Sequence, residues 1–276
     1  MLAVGLALAA NLGYGVSDFL GGLKSRTLPL LSVLLVSQAI ELPIIAAVVA
    51  VSGDAVPTDH LEYGVLAGLS EALGVAALYR GLSVGTMSVV APLGALAPVV
   101  AVVAAALQGE APSGIQGAGI ALAVAGVVLI SAEEERSAGR LGPSVVFGLL
   151  TALGFGGFFV GMDAASEGSV PWALLAVRCS SIAAFGLAFA VRRRPLGVKA
   201  RELPVLAAIG ALIVAADSLY AVASTKGLLS VVAVLSSLYP LVTIVLARFY
   251  LGEQIGGTQR LGVPAALAGA AVVSLG

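Results

Sequence analysis

Four ionisable residues lie near the middle of long apolar stretches of this 276-residue chain: Glu41, Glu71, Arg178 and Asp217. A charged side chain at the centre of a membrane costs about 2.5–3.5 kcal/mol, so it persists where it pairs or has a function. One guanidinium neutralises only one of three carboxylates, and burial favours the uncharged form of the others. We therefore predict that Glu71 and Asp217 carry protons or contact a ligand, with structural ion pairing as the alternative. The planar guanidinium of Arg178 suits bidentate binding of a ligand carboxylate.

Other polar residues of the apolar stretches have simpler expectations. Glu41 lies in a stretch whose tilt would let the side chain reach the membrane surface. Asp18 and Asp163 lie near the ends of their stretches, where we expect them to reach water. Tyr79 and Tyr220 also lie near stretch ends, and we expect them at the membrane interface, where tyrosine is enriched.

Two prolines mark a further pair of positions. Proline removes a backbone donor and disturbs the helix one turn earlier, so Pro98 and Pro240 predict bends that free carbonyl groups near Gly94 and Ser236. Tyr239 lies mid-stretch, directly before Pro240. With two residues of the first stretch added, the predicted substrate-binding set is Asn11, Tyr14, Glu71, Arg178, Asp217, Ser236 and Tyr239.

The composition requires lipid as the solvent. Hydrophobic residues make up 59% of the chain and charged residues 11%, with a mean hydropathy of +1.09, whereas soluble domains carry about 25% charged residues. A membrane-spanning helix needs about 20 mostly apolar residues. Division at charged, proline-containing and glycine-rich breaks gives ten spans, at roughly 2–21, 28–51, 61–79, 85–107, 113–131, 144–163, 169–191, 203–222, 228–250 and 259–275.

One segment of the chain occurs twice as an internal repeat. The residues from Leu78 to Glu110 recur from Leu219 to Glu253, with an offset that drifts only from 141 to 143 residues. The sequence Ser-Val-Val-Ala is identical in both copies, and each copy has a mid-span proline and a terminal Gly-Glu pair. Such internal repetition indicates a duplicated architecture.

The duplication divides the ten spans into two sets of five. Because five is odd, the second set enters the membrane from the opposite side, which gives inverted-topology repeats. We predict an all-α integral membrane protein with a first repeat at 1–132, a cytoplasmic linker at 133–143 and a second repeat at 144–276.

The positive charges predict an orientation. Twelve of the fourteen lysines and arginines lie on connections after odd-numbered spans or at the adjoining span end; Lys226 alone lies on the other side, and Arg178 is mid-span. Cytoplasmic loops carry the excess of such residues. The termini are therefore predicted to lie outside the cytoplasm.

The chain has few of the residues that enzymes commonly use as nucleophiles, bases or metal ligands. The chain has one histidine, His60, and one cysteine, Cys179, so neither a nucleophile–base pair nor a histidine cluster for a metal can be assembled from them. We predict a protein that is not an enzyme and that has no cofactor, metal or nucleic-acid partner.

These features resemble the EamA family of the drug/metabolite transporter superfamily. The resemblance covers two repeats, at about 2–132 and 144–275, and rests mainly on a mid-helix proline, a Gly-Glu pair at the helix end and a glycine-containing helix after it. Tyr14-Gly15 stands where the family has an aromatic-glycine pair, and Arg178 matches the arginine typical of the second helix. The first repeat has Ser37-Gln38 there and no arginine.

The resemblance implies ten helices, a cavity between the repeats, alternating access, and export of small metabolites, often amino acids, or of drugs. We therefore predict a secondary transporter, facilitative or proton-coupled, in a bacterial-type cytoplasmic membrane. Its partners would be the lipid bilayer and a small, amino-acid-like substrate, with the chain acting as a monomer or homodimer. A cationic-drug exporter is the alternative within the class, and a non-transporting membrane scaffold is the alternative outside it.

Overall fold

Every regular element in the described part of the chain is helical. The computed structural model describes residues 2–100, 113–115, 117–123, 125–126, 129, 142–192, 195–226, 232, 236, 239–252 and 257–273. In chain order the helices are α1 (Leu2–Ser25), α2 (Leu30–Ser52), α3 (Leu61–Val84), α4 (Met87–Gly94), α5 (Pro143–Ser166), α6 (Val170–Arg192), α7 (Leu203–Ser224), α8 (Tyr239–Leu251) and α9 (Gln259–Val273). Residues 117–123 are helical as well, and a 3-10 turn, Ala200–Glu202, precedes α7.

Six helices of the described residues are long and apolar enough to cross a membrane: α1, α2, α3, α5, α6 and α7 with its preceding turn. Their bounds agree with the predicted spans to within a few residues. Shorter apolar helices, Val89–Val100 and Tyr239–Leu251, fall inside the fourth and ninth predicted spans. The all-helical fold is therefore confirmed for the described residues, and six of its helices are long and apolar enough to cross a membrane.

Proline and glycine set several helix ends. Pro29 precedes α2, and Pro143 occupies the first helical turn of α5, where a missing backbone donor costs nothing because that group has no partner inside the helix. Gly53 follows α2 with a φ of +71°, a left-handed conformation that glycine adopts without steric cost.

The two halves pack reciprocally. The first helix of each half packs most extensively against the third helix of the other half, that is, α1 against α7 and α5 against α3, and the two second helices, α2 and α6, pack against each other. If each helix is replaced by its counterpart in the other half, the same helix pairs remain in contact. This is the pattern that an approximate two-fold axis between the halves produces.

Contacts at one end of the bundle show the directions of the helices. Lys24 in the last turn of α1 lies 2.5 Å from Glu202 before α7. The backbone N–H of Thr86 after α3 donates to the hydroxyl of Ser144 at the start of α5 over 3.2 Å. Arg26 donates to the carbonyl of Leu82 at this end, over 3.2 Å. Because α1 ends where α5 begins, the two first helices run in opposite directions.

The opposite end is held by the connection between α2 and α3. The Asp54 carboxylate accepts a hydrogen bond from Ser169 over 2.7 Å, and its backbone carbonyl accepts one from the Trp172 indole over 3.1 Å. Both partners belong to the connection between α5 and α6 or to the first turn of α6. Connections after even-numbered spans therefore meet here, as the inverted arrangement requires.

Glycines allow the central helices to approach closely. A Cβ on Gly154 of α5 would overlap the backbone of Gly74 of α3, and one on Gly68 would overlap the backbone of Val177 on α6. Such small-residue contacts allow membrane helices to pack backbone to backbone. They bring the polar residues of α3, α5 and α6 within reach of one another.

Glycines of the last helix in each half are used inside the chain. A Cβ on Gly126 would collide with the backbone of Ala266 on α9, and one on Gly269 of α9 would collide with Ala123. These helical segments therefore pack against each other across the two halves.

The interfacial placement of two tyrosines was wrong. Tyr79 and Tyr220 are both 0% exposed. The Tyr79 hydroxyl donates to the carbonyl of Ser17 over 3.5 Å, and its ring occupies the space next to Gly21. Tyr220 packs on Phe159 with ring centroids 4.9 Å apart. Both rings face neighbouring helices because helix rotation, which stretch ends do not reveal, points them inward.

Candidate functional site

The guanidinium of Arg178 lies at the centre of a buried charged cluster. Arg178 is 0% exposed on α6. Its Nη2 donates to Asp217 Oδ2 on α7 over 2.6 Å, and its Nη1 donates to Glu71 Oε1 on α3 over 3.3 Å. Nη1 also lies 2.8 Å from Glu41 Oε2 on α2. One cation is thus shared by three carboxylates from three helices, which we call the Arg178 cluster.

Glu41 belongs to this cluster and does not reach the membrane surface. Its side chain is 0% exposed, and its carboxylate oxygens make an ion pair with Arg178 without an aligned hydrogen bond to any described residue. The expectation that α2 tilts far enough for Glu41 to leave the interior is therefore wrong. The reason is that α2 packs directly on α6 and α7; the backbone of Ser37 and the Glu41 side chain occupy the space next to Gly210.

Two hydroxyl groups contact the carboxylates of the cluster. The Tyr14 hydroxyl on α1 donates to Asp217 Oδ1 over 2.8 Å, so each oxygen of Asp217 has its own donor. The Ser181 hydroxyl, one turn after Arg178 on α6, lies 2.9 Å from Glu71 Oε2 and about equally near the carbonyls of Gly68 and Val177. Hydrogen bonds to a charged acceptor are shorter and stronger than those between neutral groups, so Asp217 is held in one orientation by its two donors.

The cluster has an excess of acids. Three carboxyl groups share the single positive charge of Arg178, and all are at most 6% exposed. Uncompensated charges in a low-dielectric interior are costly, so such a group of acids favours the uptake of protons or of a cation.

A cavity adjoins the Arg178 cluster between the two halves. Its volume is about 40 Å³, room for a few water molecules, so a larger ligand requires the helices around it to move apart. Its lining combines three acids, five aromatic rings and two aliphatic side chains: Asp18, Glu71, Asp217, Tyr14, Phe155, Phe158, Phe159, Tyr239, Val75 and Ile213. These residues come from α1, α3, α5, α7 and α8, so helices of both halves form its wall.

The interruption of the fourth helix meets this wall. Helix α4 ends at Gly94, the residue whose carbonyl the missing N–H of Pro98 would have bound, and Ala95 and Leu96 form a turn before helical residues resume. A Cβ on Gly94 would lie 2.6 Å from the hydroxyl of Tyr239. The bend predicted near Ser236, one turn before Pro240, falls on a segment of which residues 233–235, 237 and 238 lie outside the described residues.

The structure brings four of the seven predicted site residues into the cavity wall: Tyr14, Glu71, Asp217 and Tyr239. Arg178 lies behind Glu71 and Asp217, to which it is bonded. Asn11 and Ser236 are buried, at 7% and 0% exposure, and stand outside this cavity's lining. The hydroxyl of Ser236 has no hydrogen-bond partner among the described residues.

Sequence reasoning missed one acid and three rings of the wall. Asp18 was expected to reach water, yet it is 5% exposed and lines the cavity. It follows Tyr14 by four residues, which places both on one face of α1, so the helical period would have found it. Phe155, Phe158 and Phe159 also recur at helical spacing on α5, a pattern as common in plain cores as in binding sites.

Comparison with solved structures supports the fold. Fourteen chains match, and one of them, described only as the crystal structure of a protein, has a TM-score of 0.64 and 18% sequence identity. The similarity covers 97% of this chain and 96% of that one. Curated proteins contain no match to this sequence.

Comparison with protein families covers nearly the whole sequence. The model of the EamA-like transporter family matches residues 1–132 and 142–275, the two halves that pack reciprocally in the structure. The family is one of transporters rather than enzymes, and its members are multi-pass membrane proteins. The chain therefore belongs to the EamA-like transporter family.

Proposed function

We propose that the protein is a secondary transporter of the cell membrane that exports small, amine-bearing metabolites by alternating access. The observation that carries this proposal is the cavity between the two halves, whose wall contains Glu71 and Asp217. Carboxyl groups at membrane depth that line a cavity are typical of substrate and proton pathways.

The architecture we propose is ten transmembrane helices in two inverted repeats of five, joined by a cytoplasmic linker at 133–143. The contacts at one end of the bundle show that α1 and α5 run in opposite directions, and this supports the inverted arrangement of the two repeats. Residues 130–141, which include most of the linker, lie outside the described residues. The distribution of lysine and arginine supports termini outside the cytoplasm.

In this mechanism Glu71 and Asp217 release protons when the positively charged substrate binds and take up protons when it leaves. Arg178 and the hydroxyls of Tyr14 and Ser181 hold the two acids in place. Loss of a proton from one acid raises the negative charge of the cavity wall and favours binding of a cation, and reprotonation favours release. Rocking of one half against the other about the approximate two-fold axis would expose the cavity to alternate sides.

The two predicted substrate classes share a positively charged nitrogen. An amino-acid-like zwitterion needs an additional partner for its carboxylate, and the predicted partner was Arg178. The guanidinium is fully buried and already contacts three carboxylates, so we propose that it orients acids of the protein. Convergence of the charged residues on one cavity favours transport over a membrane scaffold.

Flux into proteoliposomes under an imposed pH gradient tests the proposal, with a panel of radiolabelled amino acids and small amines. We expect gradient-driven flux of at least one panel member with the wild type and its loss with Glu71→Gln. Glu62→Gln, the same change at the exposed start of α3, is the matched control and should retain flux. Unchanged flux in Glu71→Gln would remove the proton role, and wild-type vesicles without flux of any panel member would remove the transporter proposal.

A further inference from the structure

Asp18 is an acid of the cavity wall that the Arg178 cluster does not use. It lies on α1, one turn after Tyr14, and is 5% exposed. It has neither an ion pair nor a hydrogen bond with any residue that the structure describes. The ionisable groups close enough to interact with its charge are another acid, Asp217, and the phenols of Tyr79 and Tyr239. Neither oxygen of Asp18 is among the fully enclosed unpartnered atoms, so the carboxylate faces the cavity, and a molecule in the cavity can donate to it.

A second polar group in the same cavity also lacks a partner. The hydroxyl of Tyr239 is buried, its residue is 2% exposed, and it has no hydrogen-bond partner among the described residues. Tyr239 and Asp18 come from α8 and α1, helices that pack against each other. Two polar groups from adjacent helices are therefore available in one cavity to a molecule with hydrogen-bond donors.

The charged residues around the cavity favour a positively charged ligand. Asp18, Glu71 and Asp217 all line the cavity, whereas Arg178, the cation bonded to the last two, lies behind them. The positive charge of Arg178 is already shared by three acids, which leaves none for Asp18. A positively charged ligand would therefore supply the counter-charge that Asp18 lacks.

The other residues that line the cavity favour a ligand whose uncharged part is apolar. Five aromatic rings and two aliphatic side chains complete the lining, and Phe155 meets Tyr239 edge to face with ring centroids 6.1 Å apart. Aromatic faces attract organic cations and pack on apolar groups, whereas hard metal ions require oxygen ligands on most sides. The wall therefore suits an apolar molecule with one charged nitrogen.

We propose that Asp18 is the binding carboxylate for a monovalent organic cation, an amine with a small aromatic or aliphatic body and no carboxylate of its own. This inference rests on the proposed function and names its substrate class. The cavity of about 40 Å³ widens to admit the ligand, as alternating access requires. The ammonium group then lies between Asp18 and the Tyr239 hydroxyl, which accepts a hydrogen bond from it, and the body of the ligand packs on Phe158 and Phe159.

Three probes that share a phenyl ring test the proposal in detergent solution. Phenethylamine carries only the positive charge, phenylalanine carries both charges, and 3-phenylpropionate carries only the negative charge. We expect titration calorimetry to show phenethylamine binding on the order of tenfold or more tighter than phenylalanine, with no binding of 3-phenylpropionate. Phenethylamine should also raise the unfolding temperature, as a ligand of the folded state does.

Matched variants assign the binding to Asp18. Asp18→Asn should weaken phenethylamine binding on the order of tenfold or more, whereas Asp18→Glu should keep most of it. Asp163→Asn is the control, because Asp163 is a half-buried aspartate of α5 that stands outside the cavity's lining, and it should bind as the wild type does. Comparison of Asp18→Asn with Asp18→Glu separates loss of charge from loss of fold.

Three results would overturn the proposal. They are phenylalanine binding as tightly as phenethylamine, undiminished binding of phenethylamine to folded Asp18→Asn, and no binding of phenethylamine to the folded wild type. In each case gradient-driven flux of amino acids in the proteoliposome assay would leave the proposed transport function standing. Loss of flux for the whole panel would instead remove the transport function itself.

Discussion

Asp217 and Asp18 are both buried aspartates of the same cavity wall, yet their surroundings differ. Each oxygen of Asp217 accepts a hydrogen bond, from Arg178 over 2.6 Å and from Tyr14 over 2.8 Å. Asp18 has no such donor among the described residues. The comparison distinguishes an acid that the fold has satisfied from one left for a ligand. It predicts that the first supports stability and that the second opposes it.

The largest effect is expected from removing the shared cation. Arg178→Met leaves three buried acids without their counter-charge, and breaking a buried pair in this way typically costs about 3–5 kcal/mol. Unfolding by SDS titration in mixed micelles measures the free energy of unfolding. Arg178→Lys keeps the charge without the planar guanidinium and should lose less. A variant Arg178→Met as stable as the wild type would contradict the central role of the cluster.

A direct contrast between the two aspartates comes next. Asp217→Asn removes a charged acceptor from Arg178 and Tyr14, so the free energy of unfolding should fall by about 1–3 kcal/mol. Asp18→Asn removes an unpartnered buried charge, so stability should be equal to or higher than that of the wild type. The same SDS titration measures both. A loss in Asp18→Asn as large as that in Asp217→Asn would show that Asp18 is satisfied by the fold.

The smallest effect concerns the two cavity tyrosines. Tyr14→Phe removes the hydrogen bond to Asp217 and should cost about 0.5–1.5 kcal/mol. Tyr239→Phe removes a hydroxyl without a partner in the described structure, and the change should stay within about 0.5 kcal/mol. Equal losses in the two variants would mean that the Tyr239 hydroxyl is bonded within the protein.

Much of the fold could be predicted from the chain. Apolar stretches of about 20 residues must form helices in lipid, and the ends of α2, α5, α6 and α7 lie within three residues of the predicted spans. The candidate site was predicted less completely. Tyr14, Glu71, Asp217 and Tyr239 do line one cavity, and their binding roles stay predictions.

The residues that were placed wrongly share one cause. Glu41 and Asp18 were expected to reach the surface or water, and Tyr79 and Tyr220 were expected at the interface, because each position was judged by its distance from a stretch end. All four are buried. Which way a side chain faces depends on the rotation and crossing of its helix, and neighbouring helices set both.

The sequence by itself determined the solvent, the helices, the duplication and the excess of buried acids, because composition and spacing act locally along the chain. Only the tertiary structure decided how those acids divide. Close packing at Gly68 against α6 and at Gly210 against α2 helps bring Glu41, Glu71 and Asp217 to one arginine, while Asp18 stays on the cavity wall without a donor among the described residues. The physical reason is that pairing depends on distances between helices, which no periodicity within one helix encodes.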